Sequence, residues 1–331
     1  MRENVKNRCD VVAENRDAIS KEFFLENNMV EIIAGTMYAE RGRTADPNHI
    51  KECRKILRKK QGAFSDLRNL NELILSAKMA LQSNPEKYLD DVIEVYSKLR
   101  QGKFFGTTYK ALAAITICDM DRASDADAVV EKTNRLLKGM KENHRFLTSD
   151  EDTGFAVLLA MTDKSVDDML EELEEIFQQL KAAIKFHDND VYSLAQVLVI
   201  QEGDAATKVE KTLRLYEAFQ QAGVKYGKGY ELASLGNLIS LDMDVEELVK
   251  EIAEAAEYLK TKKGFKTLSL SSTTRLMFAS MITSNVLSSE NTASTQAVVS
   301  NAVAMIITEE IAIMIMLCAV TAATTASATS Q

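Results

Sequence analysis

Tryptophan is absent from this 331-residue sequence, and proline occurs only twice, glycine thirteen times and histidine three times. So few prolines and glycines, with no strand-like alternation longer than a few positions, indicate an all-helical protein. Motifs that would supply chemistry are missing as well: there is no GxxxxGK[ST], no GxGxxG after a strand, no HExxH and no GxSxG. The sequence therefore predicts no catalytic residue, no cofactor and no bound metal, and it favours a protein without enzymatic activity.

The charge balance excludes another group of functions. Forty basic and forty-nine acidic residues give a formal net charge of −9. Such a chain is not expected to bind nucleic acid or anionic lipid through its overall charge. The first seventeen residues are charged and lack the apolar core of a secretory signal, and the four cysteines form no CxxC pair. Both features favour a cytoplasmic protein with reduced thiols.

An internal repeat is the strongest positive signal. Six aromatic residues recur with gaps of 41, 41, 40, 40 and 39 positions: Phe64, Phe105, Phe146, Phe186, Tyr226 and Phe265. Helix-start residues repeat with nearly the same period, at Asn84, Ser124, Ser165, Asp204 and Asp244. A shared period in unrelated features indicates that each copy is one structural unit.

Each unit reads as a helical hairpin. After each N-cap comes a helix with apolar residues on one face and charged residues on the other, and a second, more apolar helix follows. Stacking such units buries their apolar faces, so we expect one continuous α-solenoid of about six hairpins over residues 1–291. The period near 40 fits the HEAT-like range of about 40 to 47 better than the tetratricopeptide period of about 34.

Basic and aromatic residues mark the ends of the first helices. Basic-aromatic steps such as Arg145-Phe146 and Lys185-Phe186 recur where these helices should end. Cations suit a helix C-terminus, and we interpret the aromatic residue as a staple between units. A run of basic residues near the N-terminus is better explained as a solvated helix face than as a binding patch; it comprises Lys51, Arg54, Lys55, Arg58, Lys59 and Lys60.

The composition changes abruptly at the C-terminus. From residue 292 to 331 the only charged residues are Glu309 and Glu310, and the rest is rich in Ala, Thr, Ser, Met and Ile. The apolar run from Ile311 to Val320 is much shorter than the roughly 20 residues that a membrane span needs. We therefore expect a helix packed on the last unit with a frayed tail, and the alternatives of dimerisation or membrane contact stay open.

One polar cluster is a candidate site. It falls in two consecutive repeat turns and contains His144, Asp152, His187, Asp188 and Asp190, with Asp150 and Glu151 beside them. Equivalent turns of neighbouring units should line one edge of the stack, so these side chains could converge on a metal or act as acid and base. Solvated turn residues that cap the following helices are the simpler interpretation.

The segment from Gly62 to Ile117 also resembles a known family. The resemblance is carried by Gly62, Phe64, Ser65 and Leu67, then by Pro85, Tyr96, Leu99 and Phe104, and by the Ala-rich C-terminal end. In these residues the chain resembles a family of uncharacterised bacterial proteins, mostly from Firmicutes, called domain of unknown function 4003. The resemblance extends over nearly the full length. It implies a cytoplasmic bacterial protein, and it carries over no functional residue because the family has no assigned activity.

Two functions from different classes fit these observations. The first is a non-catalytic repeat protein whose stacked helices bind a protein, a peptide or a second copy of the chain. The alternative is a small-ligand or metal-dependent enzyme or receptor that uses the polar edge of the superhelix.

Overall fold

The computed structural model describes residues 1–68, 72–100 and 107–290. Within these ranges the chain is helical and contains no strand, which confirms the all-α prediction. The helices are α1 (Glu3–Glu22), α2 (Asn28–Glu40), α3 (Pro47–Lys60), α4 (Glu72–Leu81), α5 (Pro85–Arg100), α6 (Thr108–Asp119), α7 (Ala126–Asn143), α8 (Thr153–Ala160), α9 (Val166–Ala183), α10 (Asp188–Ile200), α11 (Ala205–Gln221), α12 (Val245–Lys260) and α13 (Ser272–Glu290). Three 3₁₀ helices, Ala123–Asp125, Asp150–Asp152 and Tyr230–Asn237, complete the set.

Side-chain caps start the helices where the sequence predicts them in most units. Asp46, Ser165, Asp204 and Asp244 each accept a hydrogen bond from a backbone N–H of the first turn of the following helix, and Pro47 occupies the first turn of α3. Ser124 does not act as an N-cap. It lies inside a 3₁₀ turn, and α7 begins at Ala126 without a side-chain cap.

The helices form two layers. α1, α3, α5, α7, α9, α11 and α12 are amphipathic, and each contacts its neighbours in this order. The second layer consists of α2, α4, α6, α8, α10, the 3₁₀ helix Tyr230–Asn237 and α13, which are far more apolar. Every residue of α4 and α8 is buried, so these two inner helices present no face to solvent. These two helices therefore offer no surface to a binding partner.

The outer layer closes on itself, because α1 packs against both α12 and α13. The Asp10 carboxylate contacts Lys262 and accepts a hydrogen bond of 2.8 Å from the Tyr258 hydroxyl. Arg8 donates to Asn285 over 2.8 Å. The described helices thus make seven outer–inner pairs in which the last pair contacts the first, whereas the sequence predicts a stack of about six hairpins.

A close approach fixes the packing of the first pair. α1 and α2 meet at Gly35, where a Cβ atom added to the glycine would lie 2.8 Å from the backbone nitrogen of Arg16. Arg16 is buried and forms an ion pair with Glu31 at 2.5 Å. The glycine therefore permits a helix contact that any side chain would push apart. The predicted C-terminal unit, residues 292–331, lies outside the described residues.

Candidate functional site

The predicted polar edge divides into several small contacts. His144 follows α7, and its Nε2 atom lies 2.5 Å from Oε2 of Glu174 on α9. The imidazole ring stands edge-on to Phe177 at 5.1 Å and to Tyr192 at 5.3 Å between ring centroids. His144 therefore holds α9 and α10 against the α7–α8 turn.

Asp152 is the most unusual titratable group of this edge. Its carboxylate is buried and accepts hydrogen bonds from the Ser149 backbone N–H at 2.8 Å and from Nε2 of Gln196 at 2.6 Å. Burial raises the pKa of Asp152 to about 6, although both hydrogen bonds oppose that change. Burial raises the pKa of Tyr192, and the negative charge of Asp152 adds to this effect.

The other three predicted residues belong to α10 and its N-terminus. His187 occupies the N-cap position without capping the helix, and Asp188 forms an ion pair of 2.6 Å with Lys181. Asp190 is half-buried, and this burial raises its pKa while His187 counteracts the effect. Within the described ranges, no group of three or more His, Cys, Asp or Glu side chains is placed to hold a metal ion. A metal or acid-base site at the polar edge therefore remains a prediction.

The structure also contains a buried ion pair that the sequence analysis did not predict. Lys208 on α11 is only 1% exposed and pairs with Glu172, which also accepts a hydrogen bond of 2.6 Å from Lys164. Burial lowers the pKa of Lys208, and Glu172 opposes that effect. The sequence feature that could have indicated this pair is the position of Lys208 on the apolar stripe of α11, together with Val209, Thr212 and Leu215.

A second ionic group contains two arginines of the basic run in α3. Glu72, at the start of α4, accepts hydrogen bonds from Arg54 at 2.8 Å, Arg58 at 2.8 and 2.9 Å, and Arg68 at 3.2 Å. Burial tends to raise the pKa of Glu72, but the guanidinium groups of Arg58 and Arg54 outweigh it and lower that pKa to about 2. Two arginines of the run thus anchor α3 to α4.

The exposed apolar residues lie in equivalent places. The turns that lead from an outer to an inner helix are residues 23–27, 61–68, 144–152, 184–187, 222–229 and 261–271, which we call the rim. All five large apolar side chains that are exposed in the described ranges belong to it: Phe24, Leu25, Phe64, Phe146 and Leu268. Phe64 and Phe146 are 97% and 95% exposed, so the expected staple role is wrong for them. Phe105, another member of the repeat, lies outside the described residues.

Contacts between successive turns show that the rim is one edge of the molecule. Asn28, next to the first turn, donates a hydrogen bond of 2.8 Å to the carbonyl of Gly264 in the last turn. The Lys228 ammonium lies 5.2 Å from the ring centroid of Phe186, so the fourth and fifth turns also meet. Because each pair of helices runs out and back, all these turns lie at the same end of the helices.

The two edges carry opposite charge. The rim contains eight Lys or Arg residues and five acidic residues, a formal charge of +3. The turns at the other edge, residues 41–46, 82–84, 120–125, 161–165, 201–204 and 238–244, contain four basic and eight acidic residues, a formal charge of −4. A net charge of −9 therefore conceals a basic, apolar edge.

The profile of the family described as "Protein of unknown function (DUF4003)" matches residues 15–312 of this sequence. The chain belongs to the DUF4003 family. It is also similar to "Uncharacterized protein YeaA" from Bacillus subtilis (strain 168), with 21% identity over 272 residues that make up 80% of each chain. No solved structure matches. Family membership confirms the resemblance and assigns no activity to any residue of this DUF4003 protein.

Proposed function

We propose that this DUF4003 protein is a non-catalytic helical-repeat protein that holds its binding partner through the rim. The observation that carries this proposal is the placement of all five exposed large apolar side chains of the described ranges on that one edge. Exposed apolar residues concentrated at one place mark interaction surfaces, whereas scattered ones are ordinary. A protein or peptide partner, or a second copy of the chain, is the class that the repeat sequence predicts.

Two features of the rim favour binding over catalysis. The basic groups lie beside apolar side chains that are almost fully exposed to solvent. Catalytic sites need groups held in a recess that excludes water, and the rim supplies the opposite arrangement. The inner helices α4 and α8 expose no surface to a partner, which leaves the rim as the better candidate.

A photo-crosslinking amino acid at two matched positions tests this proposal. Phe146 lies on the rim, and Ser83 is an exposed turn residue at the opposite edge. With benzoylphenylalanine at one position or the other, cells are irradiated and the tagged protein is isolated under denaturing conditions. We expect adducts at position 146 that disappear with Phe64→Ser and none at position 83. Equal adducts at both positions would refute the rim as the binding surface, and no adducts at either position would refute a protein partner.

The alternative is a small-ligand or metal-dependent enzyme or receptor. The observation that favours it is the buried carboxyl group of Asp152, held by Ser149 and Gln196, whose pKa is about 6. Perturbed carboxyl groups of this kind are common at functional sites. Thermal denaturation with Zn²⁺ or Mn²⁺ tests it. A rise in Tm that His144→Gln abolishes would support this alternative, and an unchanged Tm would count against a metal site.

A further inference from the structure

We propose that the rim docks onto the surface of a membrane that is rich in anionic lipid. This inference rests on the proposed function, since it names the partner of the same rim. It concerns peripheral contact alone: among the described helices, none combines the length and the apolar character required to cross a bilayer.

The apolar part of the rim suits a bilayer surface. Leu25, Phe64, Phe146 and Leu268 are between 88% and 102% exposed and come from four different turns. They therefore project from the protein instead of lining a groove that would receive a peptide. Side chains that project from several turns of one edge can enter a broad surface together, and the boundary between lipid headgroups and acyl chains accepts Phe and Leu.

The charged part of the rim complements anionic headgroups. Exposed cations lie beside or between the apolar residues, as in Arg145 next to Phe146, and Lys263 and Lys266 before Leu268. Each basic residue near an anionic leaflet adds to binding, and the acidic opposite edge is repelled by it. The resulting charge asymmetry orients the molecule with the rim toward the lipid.

The same chemistry disfavours nucleic acid as the partner. A single strand is held by aromatic side chains along a continuous basic groove, where the bases stack. Two of the five exposed apolar residues are the leucines Leu25 and Leu268, which cannot stack on bases. Their near-complete exposure contributes to binding only where an apolar phase receives them.

Co-sedimentation with vesicles tests the inference. The full chain is mixed with phosphatidylcholine vesicles that contain or lack phosphatidylglycerol, and the bound fraction is measured against lipid concentration and salt. We expect binding to the anionic vesicles, weaker binding as salt rises, and little binding to phosphatidylcholine alone. Tight binding to both kinds of vesicle, or to neither, would overturn the inference.

Matched variants separate the two parts of the rim. Phe64→Ser with Phe146→Ser removes two exposed side chains that make almost no internal contact, and we expect at least a roughly tenfold loss of affinity. Lys263→Gln with Lys266→Gln should weaken binding roughly 30-fold at low salt and much less at high salt. Glu202→Gln at the opposite edge is the control and should bind like the wild type. An effect of the control as large as that of the rim variants would contradict the inference.

The vesicle and crosslinking results can fail independently. Adducts to a protein at position 146 together with no vesicle binding would refute the lipid and keep the rim as a protein-binding surface. Retention of an oligonucleotide instead of vesicles would replace lipid by nucleic acid. The absence of both adducts and vesicle binding would refute the rim itself.

Discussion

Replacing Asp152 by Asn should stabilise the protein at neutral pH and remove part of its pH dependence. Asp152 has an ordinary pKa of 3.8 in the unfolded chain and about 6 in the folded protein. A group whose pKa rises on folding stabilises the fold while it is protonated. That stability is complete below the unfolded pKa and is lost as pH rises through the folded pKa. A difference of about 2 between the two pKa values corresponds to about 3 kcal/mol.

The geometry around Asp152 allows the amide to replace the carboxylate. The Asn oxygen can keep the bond to the Ser149 N–H, now 2.8 Å long, and the Asn NH₂ group then faces Gln196. Gln196 has a buried Oε1 atom without a hydrogen-bond partner among the described residues, so a rotation of its amide supplies the needed acceptor. The substitution therefore removes the charge without leaving more unsatisfied groups than before.

Urea unfolding of the wild type and of Asp152→Asn at a series of pH values measures the effect. We expect similar free energies of unfolding near pH 4 and an advantage of the variant that grows to about 3 kcal/mol above about pH 7. Asp152→Ala is the control, because it removes the charge and the hydrogen bonds together and should be less stable than Asp152→Asn at every pH. A constant difference between wild type and Asp152→Asn across the series would mean that the buried charge of Asp152 does not govern this stability.

Two further substitutions test the packing. Glu72→Gln removes the partner of three arginines and should cost about 3 kcal/mol at pH 7. This stability is present above the unfolded pKa of 4.5 and is lost as pH falls toward about 2, so the difference in urea unfolding from wild type should vanish in acid. Gly35→Ala gains about 1 kcal/mol of helix propensity. The clash with the Arg16 backbone outweighs this gain, and Tm should fall; a rise in Tm would show that α1 and α2 are farther apart.

Local rules in the sequence predict the helices well and fail where side chains compete. The caps Ser165, Asp204 and Asp244 act as predicted because their oxygens face free N–H groups. The start of α7 differs, since the Asp125 carboxylate forms hydrogen bonds with Nε of Arg122 at 2.8 and 3.0 Å and caps nothing. A period in the sequence predicts the unit but not this choice of partner.

The aromatic repeat shows a similar limit. Phe186 packs edge-on against Tyr216 with 5.4 Å between the ring centroids, as a staple should. In the preceding unit the equivalent ring, Phe177, is contacted by His144 instead, and Phe146 is left exposed. Equal spacing therefore places residues at equivalent positions in the repeat. Whether such a residue is buried depends on which neighbouring side chain packs against the equivalent ring. For this reason the sequence does not predict which aromatic residues of the rim are exposed.

The packing of α1 against α12 and α13 also could not be predicted from the sequence. The curvature of a helical repeat comes from small rotations between units, and no single residue encodes it. The hydrogen bond between Asp10 and Tyr258 joins positions 248 residues apart, and no local pattern marks such a pair. The polar edge around His144 and Asp188 illustrates the same point, because its members find separate partners in Glu174 and Lys181.

Fluorescence of a single introduced tryptophan can decide whether the rim enters an anionic lipid surface. The chain contains no tryptophan, so Phe146→Trp and Ser83→Trp each introduce one reporter, on the rim and on the opposite edge. With vesicles that contain phosphatidylglycerol, we predict a blue shift of the emission for Phe146→Trp and no shift for Ser83→Trp. A shift at position 83 alone, or identical spectra with and without vesicles at both positions, would show that the rim does not enter the lipid surface.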